Sequence, residues 1–145
     1  MVVRFTPMYL FSCLLLGTVL GCGNNSNLAP VEGTVTMDGK PLQAASIIFI
    51  NGQSSPSGAR TDEKGFYKLS YSDTEDGAVP GKNIVRISTA QGSNITEEGK
   101  PVPARKETVP TKYNVHSTLE FTVEPGKKNV ADWKLDSKGP ILPTE

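Results

Sequence analysis

The residues of this 145-residue chain that are able to do chemistry are two thiols, one imidazole and a scatter of carboxylates. Cys13 and Cys22 lie within and just after an apolar stretch near the N-terminus. A thiolate there is a nucleophile that accepts an acyl or alkyl group, a metal, or another thiol. His116 is the sole histidine, in the polar run Tyr113-Asn114-Val115-His116-Ser117. Acid–base or nucleophilic catalysis needs a partner at a useful spacing, and none accompanies it, so His116 reads as a surface or turn residue. Asp62, Glu63, Asp73, Glu75 and Asp76 could gather round Ca²⁺ if two loops converged, but their spacing matches no calcium loop. Acids in turns are ordinarily solvated. Lys40 and Asn129 lie near the first and last expected strands, where an isopeptide crosslink is conceivable, yet no acid can be placed between them. The expectation is a protein that is not an enzyme and has no cofactor and no metal.

The thiol with a specific context is Cys22. Arg4 gives a basic start, and Phe5 to Leu20 an apolar stretch interrupted by Thr6, Pro7 and Ser12. That stretch is short for a membrane-spanning helix and fits the apolar region of a signal peptide. Val19-Leu20-Gly21-Cys22 resembles the lipobox of bacterial lipoproteins. The resemblance implies a diacylglycerol on the Cys22 thiol, cleavage before it, and acylation of the new N-terminus. Two or more acyl chains hold a protein stably on a membrane, where one holds it only marginally. Cys13 would leave with the signal peptide, and the mature chain would then have no disulfide. The polar run Gly23-Asn24-Asn25-Ser26-Asn27 suits a tether. Gly23 is not the aspartate that commonly retains such proteins in the inner membrane, so the resemblance favours the outer membrane of the cell envelope.

Composition narrows the rest. Apolar residues make up 37%, and 14 glycines with 11 prolines favour short strands and many turns over long helices. Without residues 1–21 the chain holds 14 basic and 15 acidic side chains, a balance that implies no nucleic-acid partner. Val31 to Met37 alternates with period two, and Asp38-Gly39-Lys40-Pro41 follows as a turn. Ser46 to Ile50 is a continuous apolar run, as in a strand covered on both faces. Further strands are expected at Ala59 to Asp62, Phe66 to Tyr71, Asn83 to Thr89, Leu119 to Glu124 and Ala131 to Leu135. Trp133, alternating with charged residues, reads as core rather than as an exposed binding platform.

Three stretches carry a family resemblance. They are Val31-x-Gly33-x-Val35-x-x-Asp38-Gly39-Lys40-Pro41-Leu42 leading to Ala45 and Ile47 to Phe49, then Thr61-Asp62-Glu63-Lys64-Gly65-Phe66-Tyr67-x-Leu69, and Pro80-Gly81-Lys82-Asn83-x-Val85-x-Ile87. Together they resemble the carboxypeptidase regulatory-like, or transthyretin-like, domains. With the lipobox and the Pro110-x-Lys112-Tyr113-Asn114 segment, the chain is similar to small lipoproteins of planctomycete-type bacteria. The resemblance implies an all-β, seven-stranded transthyretin-like or Ig-like β-sandwich over residues 31–136. Before it would come a signal peptide (1–21) and a tether (22–30), and after it a flexible tail (137–145). Turn chemistry accounts for the motifs, with Asp62 capping the Thr61 to Gly65 turn. The hydroxyisourate hydrolases of similar fold need several histidines and a specific C-terminal tail. This chain has one histidine and ends Gly139-Pro140-Ile141-Leu142-Pro143-Thr144-Glu145.

The least explained segment is Ala90 to His116, whose mixed charges and three prolines read as a disordered excursion. Its Asn94-Ile95-Thr96 matches a glycosylation sequon, of little meaning in a bacterial lipoprotein. If the protein binds a ligand, this segment and Tyr113 are the expected place. The functional expectation is a membrane-anchored structural or interaction module with an envelope protein or polysaccharide as partner. The alternatives are a carbohydrate- or small-ligand-binding module and, more remotely, a hydrolase. Fold alone does not choose among them.

Overall fold

The computed structural model describes residues 27–52 and 54–142; the expected signal peptide (1–21), Cys13 and the lipobox-like Val19-Leu20-Gly21-Cys22 lie outside them. Eleven short strands run in order: β1 (Val31–Met37), β2 (Lys40–Pro41), β3 (Ser46–Ile50), β4 (Ser57–Arg60), β5 (Phe66–Lys68), β6 (Gly81–Ser88), β7 (Asn94–Ile95), β8 (Pro101–Val102), β9 (Glu120–Val123), β10 (Asn129–Val130) and β11 (Trp133–Leu135). One turn of 3-10 helix spans Thr111–Tyr113. The fold is all-β.

The first sheet is built round β1. On one side β1 pairs in parallel with β10 and then β11, and on the other it pairs antiparallel with β5 and β2. The hairpin to β2 follows from local chemistry. Asp38 and Gly39 both have positive φ (50° and 77°), as a two-residue turn matched to strand twist requires. The second sheet is antiparallel throughout, in the order β4-β3-β6-β9. The two sheets face each other across one core. Val31, Val35, Tyr67 and Leu135 come from the first, and Ile47, Phe49, Val85, Ile87 and Val123 from the second. This arrangement fits a β-sandwich. The period-two alternation of β1 and β6 is the cause, since every second side chain points into the core.

The two edges of the pair are treated differently. At one, Ser70 and Gly58 exchange backbone hydrogen bonds of 2.9 Å each, tying the chain after β5 to β4. At the other, Phe49, Phe121 and Trp133 pack edge to face, with centroids 5.9–6.4 Å apart. Trp133 is half-buried against the core, as its alternation led one to expect. Its Nε1 donates to the Tyr67 hydroxyl (3.1 Å), which itself donates to Ala131 O (2.6 Å). Burial raises the Tyr67 hydroxyl well above the ordinary tyrosine range, so it stays a donor.

Where seven strands were expected, the described residues form eleven. The expected Ala131 to Leu135 strand is preceded by β10, and the two are separated where Asp132 replaces a backbone partner. Its Oδ1 accepts both the backbone N–H and the hydroxyl of Thr34, each at 2.8 Å. Two further strands, β7 and β8, form a hairpin inside the segment that was expected to be disordered. Residues at the margins of the expected domain also join it. Ala29 is buried and pairs with Ala78, and Pro140 O accepts the Thr111 N–H (2.9 Å).

Candidate functional site

Among the described residues, those singled out for chemistry do not converge. His116 is exposed, and only its backbone N–H is engaged, donating to Thr111 O at 2.9 Å. Asp62 accepts the N–H groups of Lys64 and Phe66, both at 2.8 Å, and so caps its own turn. Asp76 pairs with Lys68. Among the described residues no three His, Cys, Asp or Glu side chains stand close enough to hold a metal. Lys40 and Asn129 pair with opposite ends of β1, at Met37 and Val31. Six residues of strand, about 20 Å, separate those ends, so no crosslink can form. Asn129 instead organises the turn before β10: its Nδ2 donates to Glu124 O and Lys127 O, both at 3.0 Å.

The segment from Ala90 to His116 is structured, against the expectation from its composition. A short hairpin (β7–β8) is closed at its base by the pairing of Gln91 with Arg105. Arg105 and Arg60 both reach Ala44 O, at 3.0 and 3.2 Å. The chain then returns along β6 through Glu107. Its carboxylate accepts Ser88 Oγ (2.5 Å), Thr89 N (2.9 Å), Thr89 Oγ1 (2.8 Å), Thr108 N (2.9 Å), Val109 N (2.9 Å) and Asn114 Nδ2 (3.3 Å). Burial pushes this carboxyl up, but the bonds from Ser88, Thr89 and Val109 outweigh it, and its pKa lies below the ordinary value. These six donors leave the carboxylate no free acceptor site. Charged residues in a polar run look solvated, and only the returning strand shows that Glu107 is a hub.

Tyr113, the expected ligand contact, is half-buried and engaged. Its hydroxyl donates to Asp136 Oδ2 (2.7 Å), while Lys112 Nζ lies 2.8 Å from both carboxylate oxygens. Lys112 also sits over the Tyr113 ring, 4.9 Å from its centre. The bond from Lys112, and then that from Tyr113, lowers the Asp136 carboxyl to about 2. Tyr113 therefore fastens the helical turn to the chain after β11.

What this folding creates is a groove of about 370 Å³ on the outer face of the second sheet. Ile48 and Arg86, outward-facing residues of β3 and β6, form its floor, and Ser88 lies beside them. Glu107 and Asn114 form one wall, with Ala90, Val115 and Leu142 round it. Val115 and Leu142 are 49% and 43% exposed, so the rim is apolar and open. The volume falls in the range of about 300–1,000 Å³ usual for small-molecule sites. One signal for it was present in the sequence: the continuous apolar run of β3 calls for cover on its outer face. A smaller hollow of about 240 Å³ lies where the chain enters, against Asn27, Leu28, Tyr71, Glu75 and Val79.

No family model matches the chain, and no curated protein matches it. Among solved structures it is similar to a 9R-lipoxygenase from Cyanothece PCC8801, with 12% identity and a TM-score of 0.38. The match covers 76% of this chain and 16% of the lipoxygenase chain. A likeness of that size carries no argument about fold or activity.

Proposed function

We propose that this protein is a non-catalytic lipoprotein, tethered through Cys22 to the cell envelope, that presents a transthyretin-like, carboxypeptidase regulatory-like β-sandwich as an interaction module. The observation that carries the reading is the order of segments: a basic residue, an apolar stretch, Val19-Leu20-Gly21-Cys22, a polar run, and then a folded β domain. Ala29, buried against Ala78 seven residues after Cys22, supports a short tether between anchor and domain. The Gly23 that follows Cys22 favours the outer membrane. The isolated, exposed His116 supports a binding or structural role over hydrolysis. Partners on this reading are envelope proteins or polysaccharide.

The test is the intact mass of the protein from native membranes, beside a Cys22→Ser variant. The expected result is loss of residues 1–21 with acyl mass on Cys22, and neither change in the variant. A full-length, unacylated wild-type chain in the membrane fraction would overturn the anchor.

A further inference from the structure

The outer groove has a polar feature that its apolar lining does not explain. Arg86 points outward from the middle of β6 into the groove, and among the described residues its guanidinium makes no hydrogen bond and no ion pair. The nearest acid of the groove wall is Glu107, but its carboxylate is already filled by donors from Ser88, Thr89, Thr108, Val109 and Asn114. A planar guanidinium with five N–H donors in a fork matches a carboxylate in two-point fashion. Beside it, Ile48, Val115 and Leu142 offer an apolar channel, and on an antiparallel sheet the solvent face is ordinarily polar. One unspent cation in the floor of the groove, directly across from Ile48, fits a ligand with one anionic end and an apolar body.

We infer that the groove is a binding site for a small amphiphilic carboxylate, whose anionic end Arg86 pairs and whose hydrocarbon part lies against Ile48, Val115 and Leu142. By holding Ser88, Thr89 and Asn114 together, Glu107 fixes the wall of the groove, and selection for an anionic head rests on Arg86. The site is independent of the anchor, so a failure here leaves the reading of Cys22 intact, and the reverse also holds.

The test uses octanoate as probe, with octanol and octylammonium as controls, on the full chain purified from membranes into lipid nanodiscs. Methyl NMR shifts are followed at Ile48, Val115 and Leu142 in the groove and at Val35 in the core. The expected result is a saturable shift of the three groove methyls by octanoate, with Val35 unmoved and much weaker responses to the controls. Arg86→Gln, at an exposed position, is expected to weaken octanoate binding roughly tenfold while leaving the octanol response unchanged, the loss of one charge-assisted pair. Val115→Glu, a second exposed substitution, is expected to weaken octanoate as well by adding a like charge to the channel. Equal responses to all three probes, octanoate shifts unchanged in Arg86→Gln, or no groove shift would each overturn the inference.

Discussion

Two regions of the molecule are held by opposite means. Around β1 the chain is held by close approach. Gly33 lies against β10–β11 so tightly that a Cβ on it would meet Ala131 O at 2.0 Å, and Tyr67 and Trp133 seal the same spot from the core. The return from Ala90 to His116 has little core of its own, with Val109 as its buried apolar anchor. It is held by side-chain oxygens, through the Glu107 hub and the Asp136 contacts to Lys112 and Tyr113. The difference shows how a segment of loop-like composition becomes ordered. Partly buried carboxylate and hydroxyl partners satisfy the backbone where no ladder is available, so the order depends on groups distant in sequence.

The largest effect should come from pushing the two sides of the pinch apart. Gly33→Val places a branched side chain where the Ala131 carbonyl lies, and β10–β11 must move away from β1. We expect a loss of about 3 kcal/mol or more, typical of severe overpacking, read as a lower urea midpoint or as failure to fold. A midpoint within the error of wild type would show that the close approach is not a constraint in solution.

A step smaller is Tyr67→Phe. It keeps the ring and removes the hydroxyl that serves Ala131 O and Trp133 Nε1 together. Leaving a buried acceptor without its donor costs about 1–3 kcal/mol. Urea unfolding followed by the fluorescence of the single tryptophan measures this. An unchanged midpoint would mean that water replaces the hydroxyl.

The return segment should be weaker and sensitive to acid. Glu107 has a folded pKa below its ordinary 4.5, so its contribution is present above about pH 4.5 and is lost as pH falls through the lower folded value. Glu107→Gln is expected to cost about 1 kcal/mol at pH 7, because the amide meets some of its donors with an N–H. At pH 3 the gap between variant and wild type should shrink. Hydrogen exchange at Thr89 and Val109 gives a local readout, with faster exchange in the variant at neutral pH. Equal exchange in the two proteins would place the hold on this segment elsewhere, at Asp136.

Much of the frame was legible because strands report themselves locally. Val31, Val35, Val85 and Ile87 alternate with polar neighbours, and all four are core. Asp38-Gly39 and Asp62 act within their own turns, so spacing alone places them. The expectation of disorder for Ala90 to His116 was wrong for a complementary reason. Arg105-Lys106-Glu107 has the composition of a solvated run, and nothing nearby in sequence supplies the donors at Ser88 and Asn114 that make Glu107 a hub. The groove was half legible: the unbroken apolar run of β3 asked for cover on its outer face, but not for cover by Val115 and Leu142.

By itself, then, the sequence determined the segment order, the all-β character and the inward face of each long strand, since these depend on the period of side chains along one stretch of chain. Only the tertiary structure decided that β1 is flanked in parallel by the last strand, that Tyr113 is committed to Asp136, and that Arg86 stands unpaired among the described residues, beside a filled Glu107. Each of these depends on which partners meet across tens of residues, and hydrogen-bond and charge pairing over that distance leave no periodic trace in the chain.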